Sequence, residues 1–319
     1  GEYISNGSDG SRDLIKEFQD RYNIKVNYTN FESNEELYNV MKNSNVSYDV
    51  IVPSDYMITK MIEEDMLQKL DVSKIPNRSK LMTQFQQVSY DPTGEYSVPY
   101  FWGTVGIIYN TKKVNGVVDS WDILWDEAYK DQILMINNSR DAFAIAMTRL
   151  GLDINSVKEE DIDRAYQLLR EQKPLLQAPG YVMDQVFNKM EGNNAAIAPY
   201  YAGDAVSMME NNEDLAFVLP KEGANLFTDA MCIPKNAKNK EQAQLFINFM
   251  CEPDVAAANA EFVYYSTPIQ EAYDLLDDEL KNNKIAYPDA ETLSRCYYFA
   301  HLPKETYNKM QDLWIQVKK

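Results

Sequence analysis

The apolar residues of this chain follow two alternating periods. Short runs typical of buried β-strands are separated by segments in which apolar residues recur every three or four positions, as in amphipathic helices. Strands that alternate with helices favour an α/β architecture with a mostly parallel sheet. With 319 residues, the chain is long enough for about two domains, each with its own hydrophobic core.

The two periods predict specific elements. Strands are predicted over residues 24–31, 48–52, 132–136, 195–198, 215–219 and 230–233. Helices are predicted over residues 11–22, 35–43, 142–151, 159–171, 182–191 and 240–250, and around Ile58, Met61 and Ile62. Asn239 and Gln242 have the spacing of a capping box at the start of the helix at 240–250. Gly103 and Gly106 lie inside an apolar strand pattern, which favours a crossing between two lobes there.

The charge balance restricts the partners. The chain has 31 basic and 49 acidic residues, so its formal net charge is −18. An acidic protein repels phosphate backbones and anionic lipid surfaces, and we therefore predict no nucleic-acid partner. The charge favours cationic partners, although acidity also serves solubility alone and is a weak indication by itself.

The chain lacks the residue patterns that most catalytic sites use. The chain has one histidine, His301, and contains no His-x-x-x-His pair, no Cys-x-x-Cys pair and no Gly-rich phosphate loop. Cys232, Cys251 and Cys296 are widely spaced among apolar neighbours, which indicates buried thiols. We predict no metal, no cofactor and no enzymatic activity. A carboxylate pair for glycoside hydrolysis stays open, because 49 acidic residues will place some pair near any cleft.

Six segments carry a resemblance to a known family. They are residues 48–56 (YDVIVPSDY), 96–106 (YSVPYFWGTVG), 220–223 (PKEG), 237–241 (AKNKE), 247–249 (INF) and 287–291 (YPDAE). In this order they resemble the spermidine/putrescine-binding proteins of polyamine importers, which belong to the ATP-binding cassette (ABC) transporters. The resemblance extends over essentially the whole chain.

The resemblance implies an α/β fold with two lobes joined by a strand hinge, the type II periplasmic-binding-protein architecture. We expect residues 1–107 and 230–280 to form the first lobe and residues 108–229 and 281–319 the second. The family begins with a strand and the motif Asn-Trp-x-Glu-Tyr, of which Glu2 and Tyr3 match the end. We therefore expect the first strand of the first lobe to lie upstream of residue 1.

The matched motifs also imply ligand-binding residues in a cleft between the lobes. They are Glu2, Tyr3, Ser54, Tyr56, Asn138, Asp141, Tyr201, Phe227, Asp229 and Tyr265. The family has acids where this chain has Asn138 and Asp141, and tryptophans where it has Tyr201 and Phe227. These departures predict altered ligand choice, with a shorter or less charged amine. Asp141 also has an alternative role as the cap of the helix that follows it.

The implied chemistry fits the ligand class. A polyamine is a row of ammonium groups separated by methylenes, so its receptor needs spaced carboxylates and aromatic faces. Asp229 lies between apolar Phe227 and Met231, where an unpaired carboxylate is costly, so we expect a cationic partner for it.

The resemblance thus predicts an extracytoplasmic receptor, in the periplasm or on the outer face of the cell membrane, with a lipid anchor or a fused membrane domain as alternatives. We expect it to act as a monomer, to close over a polyamine and to deliver it to the membrane permease of an ABC importer. Three alternatives stay open: another solute in the same fold (amino acid, sugar or metal chelate), a carboxylate-pair hydrolase, and a surface adhesin.

Overall fold

The computed structural model describes residues 3–319, apart from the side chain of Asp9. The helices are α1 (Leu14–Tyr22), α2 (Asn34–Asn43), α3 (Asp55–Glu63), α4 (Thr83–Gln86), α5 (Ser139–Arg149), α6 (Glu159–Gln172), α7 (Gln185–Glu191), α8 (Ala202–Asn211), α9 (Lys240–Met250), α10 (Pro253–Val263), α11 (Gln270–Leu275), α12 (Asp278–Asn282), α13 (Ala290–Leu293) and α14 (Lys304–Lys318). The strands are β1 (Ser97–Asn110), β2 (Ile133–Ile136), β3 (Leu176–Val182), β4 (Ile197–Tyr201), β5 (Leu215–Val218), β6 (Ala224–Cys232) and β7 (Cys296–Tyr297).

The chain divides into two structural units. Unit 1 consists of the chain up to Gly103 together with Phe227–Tyr287, and unit 2 consists of Thr104–Leu226 together with Pro288–Lys319. Two of the three crossings therefore fall inside strands, in β1 and in β6. The boundaries predicted from the sequence, after residues 107, 229 and 280, lie four, three and seven residues away from these crossings.

Unit 2 is an α/β layer. Its strands follow the order β3-β2-β4-β1, and β5 also pairs with β1. β2 is parallel to β3 and β4, whereas β1 is antiparallel to β4 and β5. α5 packs against β2, α6 and α14, and most of its residues are buried because small alanines let its neighbours approach. The predicted α/β class is confirmed, and the sheet is mixed.

Unit 1 packs helices around the ends of β1 and β6. The ring of Phe18 in α1 lies 5.1 Å from that of Phe246 and 5.4 Å from that of Phe249, which both belong to α9. α9 and α11 each pack against α10. This core holds the start of α3 beside β6, where Ser54 and Asp229 form an antiparallel bridge.

Two strand predictions in unit 1 are wrong. Residues 24–31 form no strand in the described structure, and none of their side chains is buried. Of residues 48–52, only Ile51 is buried and bridged, through reciprocal backbone bonds of 2.9 and 2.8 Å with Cys232. A strand needs a continuous ladder of backbone partners, and these runs lack one within residues 3–319.

Two other predicted elements are present but differ in detail, at the start of β6 and in the capping of α9. β6 begins at Ala224, six positions before the predicted start, so it carries two of the predicted site residues. α9 spans the predicted range, but the capping box of Asn239 does not form. The Asn239 amide instead donates to Asp49 Oδ2 at 3.0 Å.

Candidate functional site

The candidate site of unit 1 is built around Asp229, a buried residue of β6 that is 9% exposed. Ser54 Oγ donates to its Oδ1 at 2.6 Å, and the Tyr3 hydroxyl donates to its Oδ2. Both donors are neutral hydroxyls. In the part of the chain that the structure describes, no basic side chain forms an ion pair with Asp229.

Ser54 is held in place by an asparagine that the motifs did not identify. The Asn34 side chain accepts a hydrogen bond from Ser54 N at 2.8 Å and donates one to Ser54 Oγ at 3.0 Å. Asn34 is the first residue of α2 and Ser54 precedes the first residue of α3. The two helix starts thus orient the hydroxyl that faces Asp229.

Aromatic rings surround the Tyr3 end of this cluster. The ring of Tyr3 lies edge-on to those of Tyr100 and Tyr265, at 5.5 and 5.4 Å between centroids, and 5.4 Å from that of Phe101. The ring of Phe227 lies 6.2 Å from that of Tyr265. The Tyr100 hydroxyl donates to the Tyr3 carbonyl at 2.7 Å, which fixes the backbone there. Such rings offer faces to methylenes and to cations.

Burial dominates the electrostatics of Asp229. Desolvation raises the pKa of Asp229 from its ordinary value of 3.8 to about 6, although the hydrogen bonds from Ser54 and Tyr3 lower it in part. The ionised form is therefore costly in the ligand-free protein. A cation placed beside the carboxylate would offset that cost.

The candidate site of unit 2 is built around Asp141, which is 3% exposed. The Tyr201 hydroxyl donates to Asp141 Oδ2 at 3.0 Å, and the Asn225 amide donates to Asp141 Oδ1 at 3.1 Å. Asn138 Nδ2 donates to the Tyr201 hydroxyl at 3.3 Å. Desolvation by burial, together with the charge of Asp141, raises the pKa of Tyr201 well above its usual range, so its phenol keeps its proton and acts as a donor.

The strand ends explain how these residues meet. β2 and β4 are parallel neighbours; Asn138 follows β2, and Tyr201 is the last residue of β4. The carboxyl ends of parallel strands share one edge of a sheet, where open α/β sheets bind their ligands. Asn138 is also the N-cap of α5, since its Oδ1 accepts from Asp141 N at 3.3 Å. The helix cap is therefore Asn138, not Asp141.

The structure gathers the predicted residues within each unit. It joins Tyr3, Ser54, Asp229, Phe227 and Tyr265 in unit 1, and Asn138, Asp141 and Tyr201 in unit 2. Tyr56 lies in α3, two positions after Ser54, and its hydroxyl donates to Glu35 Oε1 at 3.0 Å. Glu2 lies outside the described residues.

Three residues near these carboxylates were missed by sequence reasoning: Asn34, Tyr100 and Asn225. Asn225 had a usable signal, since alternate residues of a strand share a face and it precedes Phe227 and Asp229 by two and four positions. Asn34 and Tyr100 had none, because their roles depend on hydrogen bonds to residues that are distant in the sequence.

Comparison with known proteins identifies the family of this chain. Residues 45–296 match the family model of bacterial extracellular solute-binding proteins, and the chain belongs to this family. Among individual relatives, it is 36% identical to the spermidine/putrescine-binding periplasmic protein of Salmonella typhimurium over 296 residues, which cover 92% of this chain and 83% of that protein.

Solved structures agree in fold over the whole chain. A putative spermidine/putrescine ABC transporter from Listeria monocytogenes has a TM-score of 0.94 and 37% identity, covering 100% of this chain and 96% of that one. The substrate-binding protein PotD from Streptococcus pneumoniae has a TM-score of 0.82 and 38% identity, with the same coverage.

Residues 3–319 lack two kinds of feature. No helix in this part of the chain combines the length and apolar character that crossing a membrane requires. No cluster of histidine, cysteine, aspartate or glutamate side chains in the same residues could hold a metal ion.

Proposed function

We propose that this protein is the extracytoplasmic receptor of an ABC importer and that it binds a polyamine of the putrescine or spermidine type. The family and the names of the relatives support the class of function. The observation that carries the ligand class is Asp229, a buried carboxylate whose described partners are two hydroxyls. An ammonium group supplies the cation that such a carboxylate needs.

The geometry of unit 1 suits an alkylammonium in particular. Charge-assisted hydrogen bonds contribute roughly 1.5–3 kcal/mol each. A cation against an aromatic face contributes about 0.5–2 kcal/mol. Asp229 therefore supplies most of the recognition, while Tyr3, Phe227 and Tyr265 exclude water and cover methylenes.

Unit 2 has a buried carboxylate of its own, Asp141, which can bind an amine group. Asp141 is held by Tyr201 and Asn225, and Asn138 adds an amide where the family has an acid. One negative charge is thus lost relative to the family pattern. We propose that the preferred amine is shorter or less charged than spermidine.

The remaining features of this function follow from the family. We propose that the protein acts outside the cytoplasm as a monomer, hands its ligand to the importer's membrane permease, performs no chemistry on it and binds no nucleic acid. Closure of the protein over its ligand stays a prediction.

Calorimetry tests the ligand class. Purified protein is titrated with putrescine, spermidine and 1,4-butanediol, in which hydroxyls replace the two amines of putrescine. We expect saturable binding of at least one amine and none of the diol. A thermal-shift panel of amino acids, sugars and metal chelates covers the alternative solutes, because a bound ligand raises stability. Stabilisation by one of those solutes and by no amine would contradict the proposal, and turnover of a glycoside would favour the hydrolase.

A further inference from the structure

The side-chain amide of Asn225 forms a hydrogen bond through its nitrogen but none through its oxygen within residues 3–319. Its Nδ2 donates to Asp141 Oδ1 at 3.1 Å. Its Oδ1 is buried and has no hydrogen-bond partner within residues 3–319. The residue as a whole is only 8% exposed. A buried carbonyl oxygen without a donor is costly, and this one belongs to the residue that contacts Asp141, so a donor supplied by a ligand would remove that cost.

The backbone holds this side chain firmly. Asn225 is the second residue of β6 and pairs with Tyr297 of β7. Gly223, two positions earlier, has φ +102°, and its carbonyl accepts from the Trp121 indole at 2.8 Å. A residue with a Cβ would be strained at that angle, so glycine permits this path of the backbone into β6.

The position of Asn225 Oδ1 restricts which kind of group can donate a hydrogen bond to it. Because both heteroatoms of an amide are bonded to the same carbon, Oδ1 lies beside the Asp141 carboxylate that Nδ2 contacts. A carboxylate and an amide oxygen side by side attract a group that carries both positive charge and several N–H donors. A primary ammonium has three such donors and no acceptor.

We infer that Asn225 is a ligand-binding residue whose Oδ1 accepts a hydrogen bond from the ammonium group that Asp141 binds. This inference rests on the proposed function. In unit 2, one amine group is then bound by both a carboxylate, from Asp141, and an amide oxygen, from Asn225. The family motifs identify Asp141 but not Asn225.

Two substitutions at this position separate direct contact from support of Asp141. Asn225→Leu has a similar volume and removes both amide atoms, so we expect putrescine affinity to fall about tenfold or more in calorimetry. Asn225→Asp keeps an oxygen in place of Oδ1 and adds a carboxylate beside that of Asp141. If that oxygen meets the ammonium, the added charge strengthens the contact, and Asn225→Asp binds putrescine at least as tightly as the wild-type protein at pH 8.

The matched control is Asn110→Leu. Asn110 is a buried strand asparagine of the same unit; its amide donates to Asn193, and its Oδ1 accepts from Lys112 N at 2.9 Å. We expect it to lower the melting temperature and to leave putrescine affinity unchanged. If Asn225→Leu does not fold, Asn225→Ala takes its place.

The possible outcomes are distinct. Unchanged affinity of Asn225→Leu would mean that Oδ1 meets only water and would overturn the inference. Equal losses in Asn225→Leu and Asn225→Asp would show that the residue acts only through Asp141, and would also overturn it. If the wild-type protein binds putrescine in the same titrations, only this inference fails; if it binds no amine, the proposed function fails with it.

Discussion

At the scale of single residues, Asp229 combines a cost in the ligand-free protein with a benefit in the complex. Its raised pKa of about 6, against an ordinary 3.8, means that folding disfavours the ionised form by about 3 kcal/mol at most. We expect Asp229→Asn to raise the melting temperature of the ligand-free protein and to weaken polyamine binding tenfold or more, which is about 1.4 kcal/mol. Thermal unfolding and calorimetry at pH 7.5 measure both. Wild-type affinity in the variant would remove Asp229 from the site.

The same group predicts a pH dependence. Because the folded pKa of Asp229 is raised, the folded state holds the proton more tightly, and this contribution to stability is lost as the pH rises from about 4 through about 6. Polyamine affinity changes in the opposite direction, since the ligand needs the ionised carboxylate. We expect calorimetric affinity to rise between pH 5 and pH 7, and this rise to be smaller in Asp229→Asn. An equal rise in both proteins would assign the titration to another group.

The family motifs identified the two carboxylates and three of their hydrogen-bond donors, Ser54, Tyr3 and Tyr201, but not Asn34 or Asn225. Asp229 is recognisable because charged residues in apolar surroundings are rare, whereas Asp141 was identified only by its match to the family motif. Sequence reasoning predicted a cationic partner for Asp229, which stays a prediction, and the described structure adds that Ser54 and Tyr3 donate hydrogen bonds to this carboxylate. It could not find Asn34, because a side chain that orients another depends on two helix starts meeting in space.

At the scale of elements, the helices were easier to predict than the strands. The stripe of α9 determines its own buried face, so its bounds were correct. A strand depends on a neighbour that can be distant in sequence. The segment over residues 24–31 has a strand pattern but no ladder partner in the described chain, and β3 was missed although it pairs with β2. Local pattern cannot supply a missing partner.

Gly106 and Gly103 of β1 allow two alanine substitutions to be compared, because a Cβ would meet backbone at one position and a side chain at the other. A Cβ at Gly106 would lie 2.6 Å from the Val218 carbonyl oxygen of β5, so backbone must move. We expect Gly106→Ala to lower the free energy of unfolding by about 1–3 kcal/mol in urea titrations. At Gly103 the nearest atom is Cζ of the Phe227 ring, at 3.1 Å. Gly103→Ala should therefore cost less stability and reduce polyamine affinity a few-fold, because that ring moves; the reverse order would contradict this account.

At the scale of the whole molecule, the net charge of −18 acts on a cationic ligand before any contact forms. Opposite charges raise the association rate, and salt screens this attraction over a Debye length of about 8 Å at physiological ionic strength. The effect grows with ligand charge. It therefore separates long-range attraction from the short-range contacts of Asp229 and Asp141, which are buried and screened much less.

We therefore expect the association rate of spermidine, with three charges, to fall more steeply with salt than that of putrescine, with two. Stopped-flow protein fluorescence over a salt series measures both rates, and dissociation rates should change little because buried pairs control them. Asp214→Asn provides a surface control, because the carboxylate of Asp214 is 31% exposed and pairs with the exposed Lys112, so the substitution removes one charge without touching either candidate cluster. Identical salt slopes for the two amines would show that the acidity of this chain serves solubility and plays no part in ligand capture.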